Sequence, residues 1–414
     1  MRFLFVSNFY PPHDIGGYEK HCYEVANGLQ HRGHTVRILT SRYGVAHEIS
    51  NDRVLRTLYT EAQLDHYNPL DFFLCRRRHE KHNTQALFAA CAESNPDLIV
   101  FWGMWNLSRS LPAIAENTAT PVAYWVGDVW PISSDMHTRY WQSLAENQST
   151  SMGLKVVAQI AQRILRYQGY PPQLKFEHVA CGSLFLKQRI SEVLPAFERA
   201  RIVLCGVDLN LFEGLTAHLQ IEDVKAPRIV YVGALSEQKG IQTLIQAIAT
   251  LVQLDPSIRP FLTIIGAGQS DYEKQLHEMV QNLSLSNQAT FTGAVPKTQI
   301  PSLLKDQDIL IAPSIVEEGF GRVLVEGMAS GLVVLSTATG AGGEIIQHEI
   351  NGLVFPPGDA DALAHRLLHL VKNPAMYARL AQAAKASSAR FDLQRMIDEM
   401  EQFFLDVIAT TGCS

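Results

Sequence analysis

Short apolar runs of strand length alternate along this chain with helix-length amphipathic segments, and that alternation restricts the fold more than any other feature. Phe3–Ser7 reads as an apolar strand. After a Pro/Gly loop, Cys22, Val25, Ala26 and Leu29 recur at helical spacing, and Gly33 closes that helix before the strand Val36–Thr40. Further strands are expected at Leu98–Trp102, Val122–Val126 and Ile202–Cys205, whereas residues 43–95 show no clear period. In the second half, strands are expected at Ile229–Gly233, Phe261–Gly266, Thr290–Gly293, Asp308–Pro313, Val333–Thr337 and Gly352–Phe355. The helical pattern is clearest over Gly240–Val252, where Ile241, Leu244, Ile245, Ile248 and Val252 share a face. This order implies an α/β chain with parallel sheets covered on both sides by helices and joined by right-handed crossovers.

At 414 residues the chain exceeds one ordinary core, so two domains are expected, over 1–205 and 206–391. Residues 206–227, without a clear period, form the link and are counted with the second domain. Leu393–Ile408 is helical in pattern with no strand after it, and a helix over about 392–411 is expected to pack back on the first domain. The net charge of -6 does not suit a nucleic-acid binder. Residues 1–205 carry 21 Lys and Arg against 18 Asp and Glu, so this half is mildly basic, as an anionic acceptor, an anionic membrane surface or chance composition would all allow. Cys22, Cys75, Cys91, Cys181, Cys205 and Cys413 form no CxxC pair and read as reduced thiols of a cytoplasmic protein. MRFLFVSNFYPP lacks a basic leader and reads as a first strand, and no apolar run reaches the length of a membrane-spanning helix.

In open α/β sheets, ligands bind beyond the carboxyl ends of the strands. The strand RIVYVG leads into Ala234-Leu-Ser-Glu-Gln-Lys239-Gly240 and a helix, where backbone N–H groups and a lysine attract phosphate. A solvated helix start is the bland alternative. DILIAPS leads into Glu317-Glu318-Gly319-Phe320-Gly321 and the helical stretch Arg322–Ser330. The glycines allow close backbone approach. Glu318 can accept from sugar hydroxyls, and Glu326, inside the helix, from two vicinal hydroxyls such as those of a ribose. Acidic residues favoured by a helix dipole give the same pattern. A third Gly-rich turn, Gly340-Ala341-Gly342-Gly343, follows VVLST. The first strand ends before Gly16-Gly17 rather than in GxGxxG, which disfavours a dinucleotide oxidoreductase.

Glu318 and Glu326 form an E-x7-E signature within EGFGRVLVEGMASG. With GGYEKHCYEVANGLQHRGHTV, CGVDLNLF, YVGALSEQKG, TIIGAG, FTGAVP, IAPSIVEEGFG and NGLVFPPGD in order, the chain resembles glycosyltransferase family 4 over nearly its full length. The resemblance implies the GT-B fold, two facing Rossmann-like domains with an interdomain cleft. It implies transfer of a hexose, with retention and without metal or cofactor, from a nucleotide-diphosphate sugar to a hydroxyl of a glycan, lipid-linked or small-molecule acceptor. By the same resemblance Lys239 neutralises the diphosphate and Glu326 holds the ribose. Glu318, with the backbone of Gly319, Phe320 and Gly321, holds the sugar. Val295 and the Gly266 turn flank the base, and Gly16 and Gly17 approach the phosphates.

Two positions depart from the family pattern. Ala234 stands where an arginine is usual, which leaves Lys239 with more of the diphosphate charge. YWVGDVWP carries Gly127 where the family usually has a histidine, leaving Asp128 as the candidate catalytic contact or a structural cap. These losses motivate the alternative of a non-catalytic nucleotide-sugar-binding or partner subunit. A sugar-nucleotide epimerase is a third reading, which the family motifs disfavour. All five tryptophans fall within residues 102–141, and Trp105 and Trp130 are candidate acceptor-stacking residues, with Trp102 at the same strand ends. Over 153–167 a stripe of Leu154, Val157, Ala158, Ala161, Ile164 and Leu165 is expected to pack on the first domain. Peripheral contact with the inner face of a membrane is the competing reading of that stripe.

Overall fold

The computed structural model describes residues 1–13, 16–45, 53–64, 66–214 and 225–411. Asp14 and Ile15 of the first Gly-rich loop, Cys413, and positions 215–224 of the expected link lie outside the described residues. The chain divides into two compact units, Met1–Leu204 together with the residues from Met396 onward, and Cys205–Arg395.

The first unit is built on a parallel sheet of seven strands, β1 (Arg2–Ser7), β2 (Thr35–Ser41), β3 (Val54–Leu58), β4 (Leu98–Trp102), β5 (Val122–Val126), β6 (Val179–Cys181) and β7 (Arg201–Ile202). Their order is β3-β2-β1-β4-β5-β6-β7. Phe3 pairs with Val36 on one side and Leu98 on the other, in register along the strand. Residues Phe3–Val6 and all of β4 are buried, which explains their unbroken apolar composition: helices cover both faces. The strand expected at Ile202–Cys205 is shorter, because its ladder with β6 ends at Ile202 and continues as one bond from Val203 N–H to the Cys181 carbonyl.

Helix Gly17–His31 buries Cys22, Val25, Ala26 and Leu29. Gly28 lets the C-terminal helix Leu393–Thr411 approach closely, since a Cβ there would sit 2.4 Å from Ile397 Cδ1. Arg32 pairs with Asp398 and Glu401, His34 Nε2 lies 2.7 Å from Glu401, and the Phe3 and Phe404 rings are 5.4 Å apart. Residues of that helix beyond Met396 therefore close one face of the first sheet.

The second unit has a parallel six-stranded sheet, β8 (Arg228–Val232), β9 (Phe261–Ile265), β10 (Ala289–Gly293), β11 (Ile309–Ala312), β12 (Val333–Ser336) and β13 (Leu353–Val354), in the order β10-β9-β8-β11-β12-β13. Helix Ile241–Leu254 buries Ile241, Leu244, Ile245 and Ile248 against it. Arg228 clamps Asp308 at 2.9 and 3.1 Å, tying the start of β8 to that of β11. In both sheets the order reverses beside the first strand, at β1/β4 and at β8/β11. Crevices at such reversals are where α/β sheets take ligands. Among the described residues no helix is long and apolar enough to cross a membrane.

Candidate functional site

At the β8/β11 reversal, two loops carry the charged residues singled out in the sequence. After β8 the chain makes a 3-10 turn, Glu237–Lys239, and Gly240 adopts φ 68° before helix Ile241–Leu254. A Cβ on Gly240 would lie 2.0 Å from the Pro313 carbonyl, so the loops after β8 and β11 touch there. Ile315 N–H donates to the Gln238 carbonyl at 2.9 Å and fixes the same contact. Lys239 Nζ is thereby held 3.0 Å from Glu318 Oε1, with both side chains partly open to solvent. The Ser314 hydroxyl donates to the same carboxylate oxygen.

The third Gly-rich turn holds this loop from the other side. Glu318 bridges Gly340, Ala341 N–H donates to the Glu318 carbonyl at 2.9 Å, and Thr339 Oγ1 donates to the Val316 carbonyl at 2.9 Å. A Cβ on Gly340 would sit 2.4 Å from the Glu318 carbonyl oxygen, so glycine is what lets the two backbones meet. Gly321, with φ 91°, opens helix Arg322–Ala329, and Phe320 is buried with its ring 5.8 Å from that of Phe391. Glu326, one turn into the helix, accepts from Arg322 Nε at 3.0 Å. Ser314, Glu318, Phe320, Gly321, Thr337 and Thr339 line a narrow cleft.

Gly266 sits at the end of β9 against the Gly233 carbonyl, and Val295 is half-buried past β10. Ala234 is exposed, and its carbonyl accepts from the Tyr231 hydroxyl at 2.8 Å. Ser314 and Arg322 did not figure among the sequence candidates. Arg322 was readable from its i,i+4 spacing to Glu326; the Ser314 contact depends on how the loop folds.

In the first unit, the Gly16 N–H is engaged by the Glu19 carboxylate at 3.1 Å, while Gly17 begins the helix and is exposed. Tyr18 wedges between the ends of β4 and β5, where a Cβ on Gly103 or Gly127 would lie 2.6 or 2.7 Å from its ring. Its hydroxyl accepts from Gly127 N–H at 3.0 Å and donates to the Trp125 carbonyl at 3.1 Å. Tyr18 and Trp125 thus fill the space that a side chain at position 127 would occupy. Asp128 accepts from Trp130 N–H at 2.7 Å, and burial pushes its carboxyl up to about 6 against that hydrogen bond.

Of the tryptophans at these strand ends, Trp102 and Trp130 are buried and Trp105 is partly open. Trp102 is fully buried and stacks on Trp125 at 4.3 Å. Trp130 is 2 % exposed, with Phe176 at 5.7 Å and the Arg109 guanidinium at 5.7 Å from its ring, and borders a small cavity. Packing inward satisfies these large apolar rings better than solvent does. Trp105 is half-buried and, with Asp128, Arg109 and Arg139, lines a cavity of about 180 Å³.

A second polar cavity of about 130 Å³ lies past β3, lined by Tyr59, Glu61, Arg76, His79, Asn83 and His137. Glu61 accepts from the Tyr170 hydroxyl and from Met136 N–H at 3.0 Å. Burial, reinforced by the like charge of Asp135, pushes its carboxyl up to about 8. A folded pKa above the unfolded one gives stability that is complete below about pH 4 and is lost as pH rises toward the folded value. The loss runs at up to about 1.4 kcal/mol per pH unit. Thermal melts are expected to show higher stability near pH 6 than near pH 8. Glu61→Gln removes the titration while keeping an oxygen for one of the two donors and turning an NH2 toward the other, and should flatten that difference; an unchanged slope would refute the assignment.

Comparison with known proteins agrees with this arrangement. The model "Glycosyltransferase Family 4" matches residues 15–211, and the model "Glycosyl transferases group 1" matches residues 218–387. The chain belongs to glycosyltransferase family 4. An uncharacterized glycosyltransferase of Methanocaldococcus jannaschii is 24% identical over 379 residues, covering 88% of this chain and 87% of that protein. Other curated relatives of this family 4 chain match over about half their length. Among solved structures, sucrose-phosphate synthase from Thermosynechococcus elongatus aligns with TM-score 0.73 at 19% identity, over 99% of both chains. HepE of Anabaena, in complex with UDP and glucose, aligns with TM-score 0.66 at 20% identity, over 97% of this chain and 98% of its own. These likenesses establish the GT-B fold for the family 4 chain, two Rossmann-like units each with a parallel sheet.

Proposed function

We propose that this glycosyltransferase moves a hexose, with retention of configuration and without a metal ion, from a nucleoside-diphosphate sugar to a hydroxyl acceptor. The observation that carries the donor half is the convergence of Lys239, Glu318 and the Gly319–Gly321 turn at the β8/β11 reversal. Lys239 meets the charge that builds on the departing diphosphate, which is the largest electrostatic demand of glycosyl transfer. Glu318 receives the sugar hydroxyls beside it. Glu326, oriented by Arg322, receives the ribose hydroxyls. Gly266 and Val295 flank the base, and Gly17, with Gly16, approaches the phosphates. Asp128, half-buried beside Trp105, faces the acceptor or the donor sugar. The acceptor is a glycan, a lipid-linked sugar or a small molecule. The relative solved with UDP and glucose supports a uridine donor as the first to try. A cytoplasmic location, with peripheral membrane contact, belongs to the same reading; the five cysteines among the described residues are free.

Ligand binding raises stability by mass action, about 2.7 kcal/mol at a hundredfold excess over Kd. A panel of UDP-, GDP- and ADP-sugars is expected to raise the Tm of the wild type with one nucleotide class and to raise that of Glu326→Ala by much less. Equal shifts in both proteins would remove Glu326 from the donor site. A second reading, a nucleotide-sugar-binding subunit without turnover, is favoured by one observation: the space beside Gly127 is filled by Tyr18 and Trp125. Donor binding without transfer or slow hydrolysis, over a broad acceptor panel, would support it.

A further inference from the structure

Helix Met152–Tyr167 is apolar on two sides. Ala158, Ala161 and Leu165 turn inward onto the cluster of Phe72, Trp141 and Tyr170, as the expected stripe would. The opposite side carries larger apolar residues. Met152, Val156, Ile160 and Tyr167 follow one another at helical spacing there and are 78%, 48%, 47% and 92% exposed. Leu154 and Val157, which the sequence stripe placed inward, are also exposed. A helix that merely covers a core buries its large apolar residues; this helix buries Ala158, Ala161 and Leu165 and leaves larger apolar residues outside beside its basic ones.

The apolar surface continues onto helix Pro69–Leu74, where Leu70, Phe73 and Leu74 are exposed. An open groove of about 520 Å³ joins the two helices, lined by Phe73, Arg77, Ile160, Arg163 and Tyr167. Cations are interleaved with these residues. Helix Met152–Tyr167 contains Lys155, Arg163 and Arg166 and no acid; Arg77 lines the groove beside it, and Arg78, next in the chain, is exposed. Asp71 and Glu80 lie on the neighbouring helices, and Glu80 is paired with Arg76 at 2.9 Å.

We propose that this face, formed by the outer side of Met152–Tyr167, the exposed residues of Pro69–Leu74, Arg77 and Arg78, docks on the surface of an anionic lipid bilayer. A bilayer interface accepts apolar side chains and basic heads from one helix face together, with an exposed tyrosine at the boundary. A second copy of the chain on a twofold axis would set Arg163 and Arg166 against their own counterparts. The surface lies wholly in the first unit and does not depend on the proposed transfer reaction.

Sedimentation of the full chain with vesicles tests this. Vesicles of phosphatidylcholine mixed with phosphatidylglycerol are expected to bind the wild type at least about tenfold better than phosphatidylcholine alone, and high salt should weaken that preference. Val156→Glu/Ile160→Glu should lose binding at least about tenfold through the apolar contacts. Arg163→Glu/Arg166→Glu should lose it by a similar factor, each charge near the surface being worth about fivefold. Both pairs point outward, so the variants should keep the wild-type Tm and the same donor-induced thermal shift. No preference of the wild type for anionic vesicles, or full binding by both variants, would overturn the proposal. So would a wild-type dimer in solution that Ile160→Glu dissociates, since a second copy would then cover the face.

Discussion

Replacing Lys239 by alanine is expected to lower the transfer rate by about 10²–10³-fold, the range seen when a single donor to developing transition-state charge is removed. The expectation follows from position. Ala234 supplies no cation to the loop after β8, and Lys239 is held 3.0 Å from Glu318 by the contact between that loop and the one after β11. Because the charge on the diphosphate grows as the glycosidic bond breaks, the loss should fall mainly on kcat, with a smaller change in KM. Lys239→Arg keeps the charge and should recover part of the rate. Steady-state kinetics with the nucleotide sugar identified by thermal shift would decide the matter. A Lys239→Ala enzyme within about threefold of wild type in kcat/KM would remove Lys239 from the reaction.

A large effect on stability is expected at Gly240. Gly240→Ala places a methyl group 2.0 Å from the Pro313 carbonyl oxygen on a backbone with φ 68°. The left-handed conformation alone costs an alanine about 1 kcal/mol. The clash must be relieved by separating the loops after β8 and β11, for a total of about 3–5 kcal/mol, in the range of the severest single substitutions. Gly358 isolates the two contributions, because its φ is 76° and nothing lies within 4 Å of a Cβ there. Gly358→Ala should therefore cost about 1 kcal/mol. In chemical denaturation the two variants should differ clearly; similar losses would show that the loop contact is soft. If the loops do separate, Gly240→Ala should also weaken donor binding, since Lys239 and Glu318 stand on either side of that contact.

Strands buried on both faces were legible within a residue or two at their ends, β4 and β5 to the residue. Their unbroken apolar runs leave no alternative period. β6, with three residues, was too short to register, and β3 lies in the stretch where no period was visible. Helix Met152–Tyr167 was legible as a helix, but both of its sides are apolar, so periodicity could not say which would face the core. The inward choice fell to Ala158 and Ala161, whose small size allows close packing on Trp141. Trp130 shows the same limit at a strand end: its position past β5 suited either a platform or a core residue, and Phe176, Tyr124 and Arg109 drew it inward.

By itself the sequence determined the alternating α/β plan, the Gly-rich turns after the strands of the second half, and the spacing that puts Glu318 before a helix and Glu326 inside it. These are local properties, set by side-chain period and by where the backbone needs glycine. Only the tertiary structure decided that Lys239 meets Glu318, that Gly340 clamps the Glu318 loop, that Tyr18 and Trp125 occupy the space beside Gly127, and that a second apolar face on Met152–Tyr167 is left outside. Each of these joins residues from different strand–loop units, and the contact is fixed by sheet order and by close packing at glycines, neither of which a local pattern encodes.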